Sequence, residues 1–157
     1  MVFPTNPLDY IGYFGPAIIF SFVVINIYKQ QALMIAYVIL AFMNMKLNHF
    51  IKNTIEESRP TGEKHVFPEA DRKGARKFGM PSGHAQGVSF NSVFLMLAKP
   101  SFFNTLFCVT VWGITLWQRW AYKNHTWSQL IAGSVVGSLV AFVSYHTVQS
   151  ILKSRKM

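Results

Sequence analysis

Charge in this chain is confined to a few short segments. Between them lie five stretches without a single Asp, Glu, Lys or Arg: residues 10–28, 31–45, 84–98, 101–118 and 126–152. A bilayer asks for about 20 predominantly apolar residues per helix. The first, second, fourth and fifth stretches reach that once their polar but uncharged flanks are included, and the third is short. The second ends at Lys46, whose long stem can snorkel to an interface. Only 13% of the residues are charged and 51% are hydrophobic, against about 25% charged in an average soluble domain. That excludes a disordered chain. The lone cysteine, Cys108, excludes an internal disulfide framework and a Cys-based zinc cage. A formal charge of +9 would point to nucleic acid in a soluble protein. Beside five apolar stretches it points to a membrane instead, and no nucleic-acid partner is expected.

The expected fold is therefore an all-α integral-membrane helical bundle with about five transmembrane helices. One membrane-embedded domain is expected over residues 1–157. The N-terminus lacks a basic n-region, and Pro4 and Pro7 precede the first apolar stretch, so no secretory signal peptide is expected. The last stretch carries Gly133, Gly137 and Ala141 at helical spacing. Such small-residue steps let helices approach closely, through core packing first and self-association second. Trp117, Trp120 and Trp127 bracket one helix–loop–helix junction, as an interfacial aromatic belt does.

Five antiparallel spans sort the connections onto two sides. One side receives the N-terminus, the segment 46–82 and the turn 119–125. The other receives the turns at Lys29 and Lys99 and a tail with Lys153, Arg155 and Lys156. All six acids (Asp9, Glu56, Glu57, Glu63, Glu69 and Asp71) and most of the fifteen Lys and Arg fall on the first side. By the positive-inside rule that side is cytoplasmic, although cations gathered there for chemistry would inflate the count.

Three short stretches meet on the same side. Lys52 leads to Arg59-Pro60, Pro81-Ser82-Gly83-His84 opens the third helix, and Arg119 precedes His125 and Gln129 between the fourth and fifth. Lys52, Arg59 and Arg119 bring three cations to one membrane surface. Arg forks match phosphate oxygens in a bidentate way and Lys adds a point charge. A helix start at Ser82-Gly83 offers a hydroxyl, close backbone approach and an N-terminus that favours anions. His84 and His125 suit nucleophilic and acid–base work near neutral pH. Each residue has a plainer reading: interfacial snorkelling for Lys52 and Arg59, a helix cap for Ser82, a cap or a place in the Trp belt for His125. The plain readings do not explain why all of them converge. No metal or other cofactor is expected, because carboxylates are few and Cys108 is alone.

These stretches resemble the motifs of the type 2 phosphatidic acid phosphatase superfamily of membrane lipid phosphatases, which is related to the haloperoxidases. Lys52, Arg59 and Pro60 match its Lys-x6-Arg-Pro, Pro81 to His84 its Pro-Ser-Gly-His, and Arg119 with His125 its Arg-x5-His. The third motif usually ends in Asp four residues after the histidine, where this chain has Gln129. On a helix that spacing keeps Gln129 within reach of the His125 ring, so its carbonyl can accept from Nδ1–H, but it supplies no charge. The words His-Thr-Trp-Ser-Gln at 125–129, Ile51-Lys52-Asn53, and Phe78-Gly79-Met80 before Pro81 look like the dolichyl diphosphate phosphatase branch, where Gln is usual. The chain is shorter than those enzymes. It has Gln118 where a Ser is common, and five expected helices where six are usual.

The resemblance implies the following roles. His125 attacks phosphorus and becomes a phosphohistidine, and Gln129 orients it. His84 protonates the leaving oxygen and then activates water. Lys52, Arg59, Arg119, Ser82 and the Gly83 N–H hold the phosphoryl oxygens. The implied substrate is a polyprenyl, dolichyl-type diphosphate or a related lipid phosphate. The alternatives are a broad phosphatidate phosphatase and an inactive relative that binds lipid phosphates. The family puts its site on the extracytoplasmic face, opposite to the raw charge count, and the dolichyl branch implies the endoplasmic reticulum membrane. Arg72, Lys73, Arg76 and Lys77 are candidates for holding a second phosphate, with a basic loop against anionic lipid head groups as the plain alternative. His49 and His146 read as packing or interfacial residues, His65 has no assigned role, and Cys108 fills an apolar helix.

Overall fold

The computed structural model describes residues 6–67 and 78–155. The described residues form five helices: α1 (Pro7–Ile27), α2 (Gln31–Ile55), α3 (Gly83–Ala98), α4 (Phe102–Ala121) and α5 (Trp127–Ser154). Each start has a local cause. Asn6 and Asp9 form a reciprocal capping box ahead of α1, with Pro7 in the first turn. Ser82 caps α3 and Ser101 caps α4. Thr126 caps α5 in a second box with Gln129. The end of α2 turns on Glu56, a left-handed residue (φ 54°) whose N–H donates to the Lys52 carbonyl. That turn sends the chain back over the bundle, where Ser58 and Phe78 form an antiparallel bridge.

The short helix α3 is the centre of the bundle. It packs most extensively on α5, and also on α1, α4 and α2. Its contact with α5 is a backbone approach. A Cβ on Gly133 would lie 2.5 Å from the Ser82 carbonyl oxygen, and one on Gly137 would collide with the Gln86 carbonyl and the Ser89 hydroxyl. The glycine row of α5 thus serves packing within the chain. Tyr37, Phe90, Phe94, Ile19, Val23 and Ile27 form the apolar core. Two of the hydrogen bonds inside it run between helices: Tyr37 donates to Asn91 Oδ1 (2.9 Å) and Asn91 to the Pro16 carbonyl (2.9 Å). Large apolar side chains such as Phe50, Ile25, Phe102 and Val143 point outward, as they do where lipid is the solvent.

By length and apolarity α1, α2 and α5 are able to cross a membrane. The sequence also expected the stretch that became α4 to qualify. That helix carries Asn104, Thr115, Gln118 and Arg119, and all four are buried, while Phe102, Phe103, Leu106 and Val109 are exposed. Its polar groups face the other helices, which lowers its mean hydropathy without wetting its outer face. The molecule is an all-α, integral-membrane bundle. The basic run Arg72, Lys73, Arg76 and Lys77 lies outside the described residues.

Candidate active site

Three connections at one end of the bundle build the site. Lys52 sits in the last turn of α2 and is 3% exposed. Its ammonium donates to the carbonyls of Phe78 (3.2 Å) and Gly79 (3.5 Å), which offsets the cost of burying the charge. Arg59 follows the Glu56 turn and is ion-paired with Glu63. Glu63 in turn accepts from Asn124 (3.3 Å), and Asn124 also donates to the Lys64 carbonyl (2.9 Å). The buried Arg59 Nε has no hydrogen-bond partner among the described residues. Arg119 lies in the last turn of α4, with its guanidinium 5.8 Å from the centre of the Tyr13 ring.

The two histidines hold defined tautomers. His84, in the first turn of α3, has Nε2 3.1 Å from the Tyr13 carbonyl. A carbonyl only accepts, so Nε2 carries the proton, and Nδ1 is the nitrogen left for exchange with a ligand. His125 is buried in the turn before α5, with Nδ1 3.1 Å from Gln129 Oε1. The Gln129 amide is itself pinned. Its Nε2 donates to a Glu57 carboxylate oxygen (2.7 Å) and to the Ser58 carbonyl (2.9 Å), while its Oε1 accepts from the Thr126 N–H (3.3 Å). Two acceptors on one side and a donor on the other fix which end is oxygen. His125 Nδ1 must therefore donate, and Nε2 keeps its lone pair. Burial, and then the positive charges of Arg59, Arg119 and Lys52, hold the His125 imidazole far below its usual pKa, against the smaller opposing effect of Gln129. At neutral pH the ring is the free base.

A cavity of about 760 Å³ has Lys52, Arg59, Gly83, His84, Arg119 and His125 on its walls, and continues past Phe20, Val38 and Phe42 between α1 and α2. The structure thus brings six of the sequence-derived candidates to one space. The other two stand behind it. Gln129 is fully buried in back of His125. Ser82 is fully buried, and its hydroxyl accepts from the Ala85 N–H, so that hydroxyl serves the helix cap. Its N–H donates to the Gln129 carbonyl (3.0 Å).

Several site residues escaped the sequence reading. Glu57 had a visible signal, an acid two positions before Arg59, but its contact with Gln129 spans 72 residues. Gly79 is required by packing: a Cβ there would lie 2.5 Å from Gln129 Oε1. Tyr13 serves both Arg119 and His84 from α1. Asn48 and Gln86 form a polar pair (2.8 Å) on the cavity wall below the cations. His65 lines the cavity as well. His146 is exposed far along α5, against the Phe142 ring (4.5 Å).

Comparison with known proteins follows the same outline. The PAP2 superfamily model matches residues 17–153. Dolichyldiphosphatase 1 of Rhinolophus ferrumequinum is 32% identical over 92% of this chain, and the human protein of that name is 30% identical over 92%. The match spans 65% of the length of each of these relatives. Lipid phosphate phosphatase epsilon 1 of Arabidopsis thaliana is 32% identical over 74% of this chain and 41% of its own length. Among solved structures, the transmembrane PAP2-type phosphatidylglycerolphosphate phosphatase of Bacillus subtilis superposes with a TM-score of 0.69, at 18% identity, over 96% of this chain and 81% of that one, which shows a shared fold. With a family model matched over most of its length, this chain belongs to the PAP2 superfamily.

Proposed function

We propose that this protein is a metal-independent lipid phosphatase that works through a phosphohistidine. The observation that carries this reading is the cavity itself. Three cations and two tautomerically fixed imidazoles share one end of it, and apolar helices flank the other. A phosphorylated head group fits the first end, and a lipid chain fits the passage between α1 and α2. Among the described residues the cavity wall offers cations, imidazoles and a single acid, Glu63, which Arg59 engages, so this donor set suits an anion better than a metal ion.

In the first step His125 Nε2 attacks phosphorus. The N–P bond forms as the P–O bond to the lipid breaks. His84 enters this step as the imidazolium, its Nδ1 having taken a proton with the bound phosphate, and passes that Nδ1 proton to the leaving oxygen while Nε2–H stays on the Tyr13 carbonyl. In the second step His84 takes a proton from water. The resulting hydroxide attacks phosphorus, the N–P bond breaks, and inorganic phosphate leaves. Lys52, Arg59, Arg119 and the Gly83 N–H hold the phosphoryl oxygens as charge shifts between them. Phosphoryl transfer asks mainly for such positioning and electrostatic stabilisation.

The substrate proposed is a polyprenyl diphosphate, supported by the relatives named dolichyldiphosphatase 1 and by Gln129 in the third motif. The endoplasmic reticulum membrane is the matching location. Arg72, Lys73, Arg76 and Lys77 are proposed to hold the second phosphate, and neutralising all four is expected to raise KM for a diphosphate but not for a monophosphate. The test of the reading is phosphate release in detergent with EDTA, from a polyprenyl diphosphate and from phosphatidate side by side. Release that persists in EDTA and drops by about 10⁴-fold or more in His125→Ala supports it, and the preferred lipid decides the substrate. No release from either lipid by folded protein points to a lipid-phosphate-binding relative without turnover.

A further inference from the structure

The third motif lacks its usual acid, yet an acid stands one hydrogen bond further back. Glu57 accepts from Gln129 Nε2 at 2.7 Å, and Gln129 Oε1 faces His125 Nδ1 at 3.1 Å. Every part of this line is braced. The Glu57 carbonyl accepts from the Gly79 N–H (2.7 Å), Ser58 bridges Phe78, and Ser58 offers its own carbonyl to the same amide (2.9 Å). The missing Cβ of Gly79 makes room for the amide. Gln129 is fully buried, in surroundings where a charge acts over distance more strongly than in water.

We infer that Glu57 is a positioning residue for the nucleophile, with its carboxylate acting on His125 through the Gln129 amide. This rests on the phosphohistidine reading of the site. A carboxylate only accepts, so it commits the amide to present oxygen to the ring. It also polarises the amide, so that Oε1 becomes more negative. When His125 Nε2 bonds to phosphorus the ring gains positive charge, and the polarised oxygen stabilises Nδ1–H. A carboxylate thus stands one amide behind the histidine, and Gln129 is a relay.

Glu57→Gln keeps a side-chain acceptor for Gln129 and leaves the Ser58 and Thr126 contacts in place, so it removes the charge alone. The expected result is a kcat about 30-fold lower, on the scale of one charge acting across about 7 Å of partly screened protein, with KM within about twofold. Gln129→Asp supplies the sharper test. In the wild-type background it puts a second carboxylate against Glu57 and is expected to lose more than about tenfold in kcat. Adding Glu57→Gln removes that repulsion and is expected to restore most of the activity, so that each change is harmful alone and the pair is not. The Nδ1–H proton resonance of His125 gives a readout that needs no substrate, and Glu57→Gln is expected to move it upfield as the acceptor weakens. Unchanged kcat in Glu57→Gln together with simple additivity in the double variant would overturn the relay while leaving the phosphatase reading intact. Should the wild type release no phosphate, the resonance decides alone, and an unmoved Nδ1–H proton overturns the relay.

Discussion

The two sides of α3 are built differently. Toward α5 the backbones nearly touch, because Gly133 and Gly137 have no Cβ to hold them apart. Toward α1 and α2 the packing opens into a cavity of about 760 Å³ whose wall carries Tyr13, Asn44, Asn48 and Phe42. The closed side mounts the chemistry: His84 starts α3, and His125 and Gln129 lead into α5. The open side holds the cavity proposed for the ligand. A bundle in lipid lacks a hydrophobic drive between helices, so close backbone approach is what keeps the starts of α3 and α5 in register.

The closed side is expected to be the less tolerant. Gly137→Leu forces a side chain into the Gln86 carbonyl and the Ser89 hydroxyl, at about 3 kcal/mol or more, a large part of a typical stability margin. Its expected outcome is loss of monodisperse, thermally cooperative protein in detergent. A folded, active Gly137→Leu would break the comparison.

Acid should weaken the same side. The folded pKa of His125 is depressed far below the ordinary imidazole value by burial and by Arg59, Arg119 and Lys52. The unfolded chain takes up that proton as pH falls below about 6.5, and the folded chain does not. Stability is therefore fully present above that pH and falls below it, by at most about 1.4 kcal/mol per pH unit from this group. Unfolding midpoints between pH 7 and pH 5 should drop in the wild type, and less steeply in His125→Gln.

The open side should respond in binding. Glu63→Gln removes the acid that pairs with Arg59, and KM for a lipid phosphate is expected to fall about two- to fivefold, the scale of a partly exposed ion pair. Phe42→Ala trims the passage between α1 and α2, and its expected effect is the smallest: KM raised about twofold with kcat unchanged. A larger change in kcat than in KM would place Phe42 nearer the chemistry than the cavity does.

The legible parts of this molecule are those that lipid or a helix turn dictates. Uncharged runs gave away the helices, because a bilayer tolerates little else. The His125–Gln129 contact is a local spacing of four residues. At α4 Asn104, Thr115 and Gln118 dilute an apolar stretch but face inward, so the outer face stays apolar. The Ser82 hydroxyl accepts from the Ala85 N–H as a cap, a contact that uses its acceptor and not its donor. Least legible were Glu57 and Tyr13, which reach the site across 72 and 71 residues from the partners they bind. Periodicity carries no trace of such contacts. They depend on the turn at Glu56 and on the packing of α1 against α3.

The central claim is that His125 Nε2 is the atom that receives the phosphoryl group. The most direct measurement is rapid quenching of the purified protein with a lipid diphosphate labelled on its terminal phosphate, followed by mapping of the bound label. One acid-labile phosphoryl group per chain is expected, on His125, appearing before free phosphate and absent from His125→Ala. Steady phosphate release with no label on His125 at any time would contradict it.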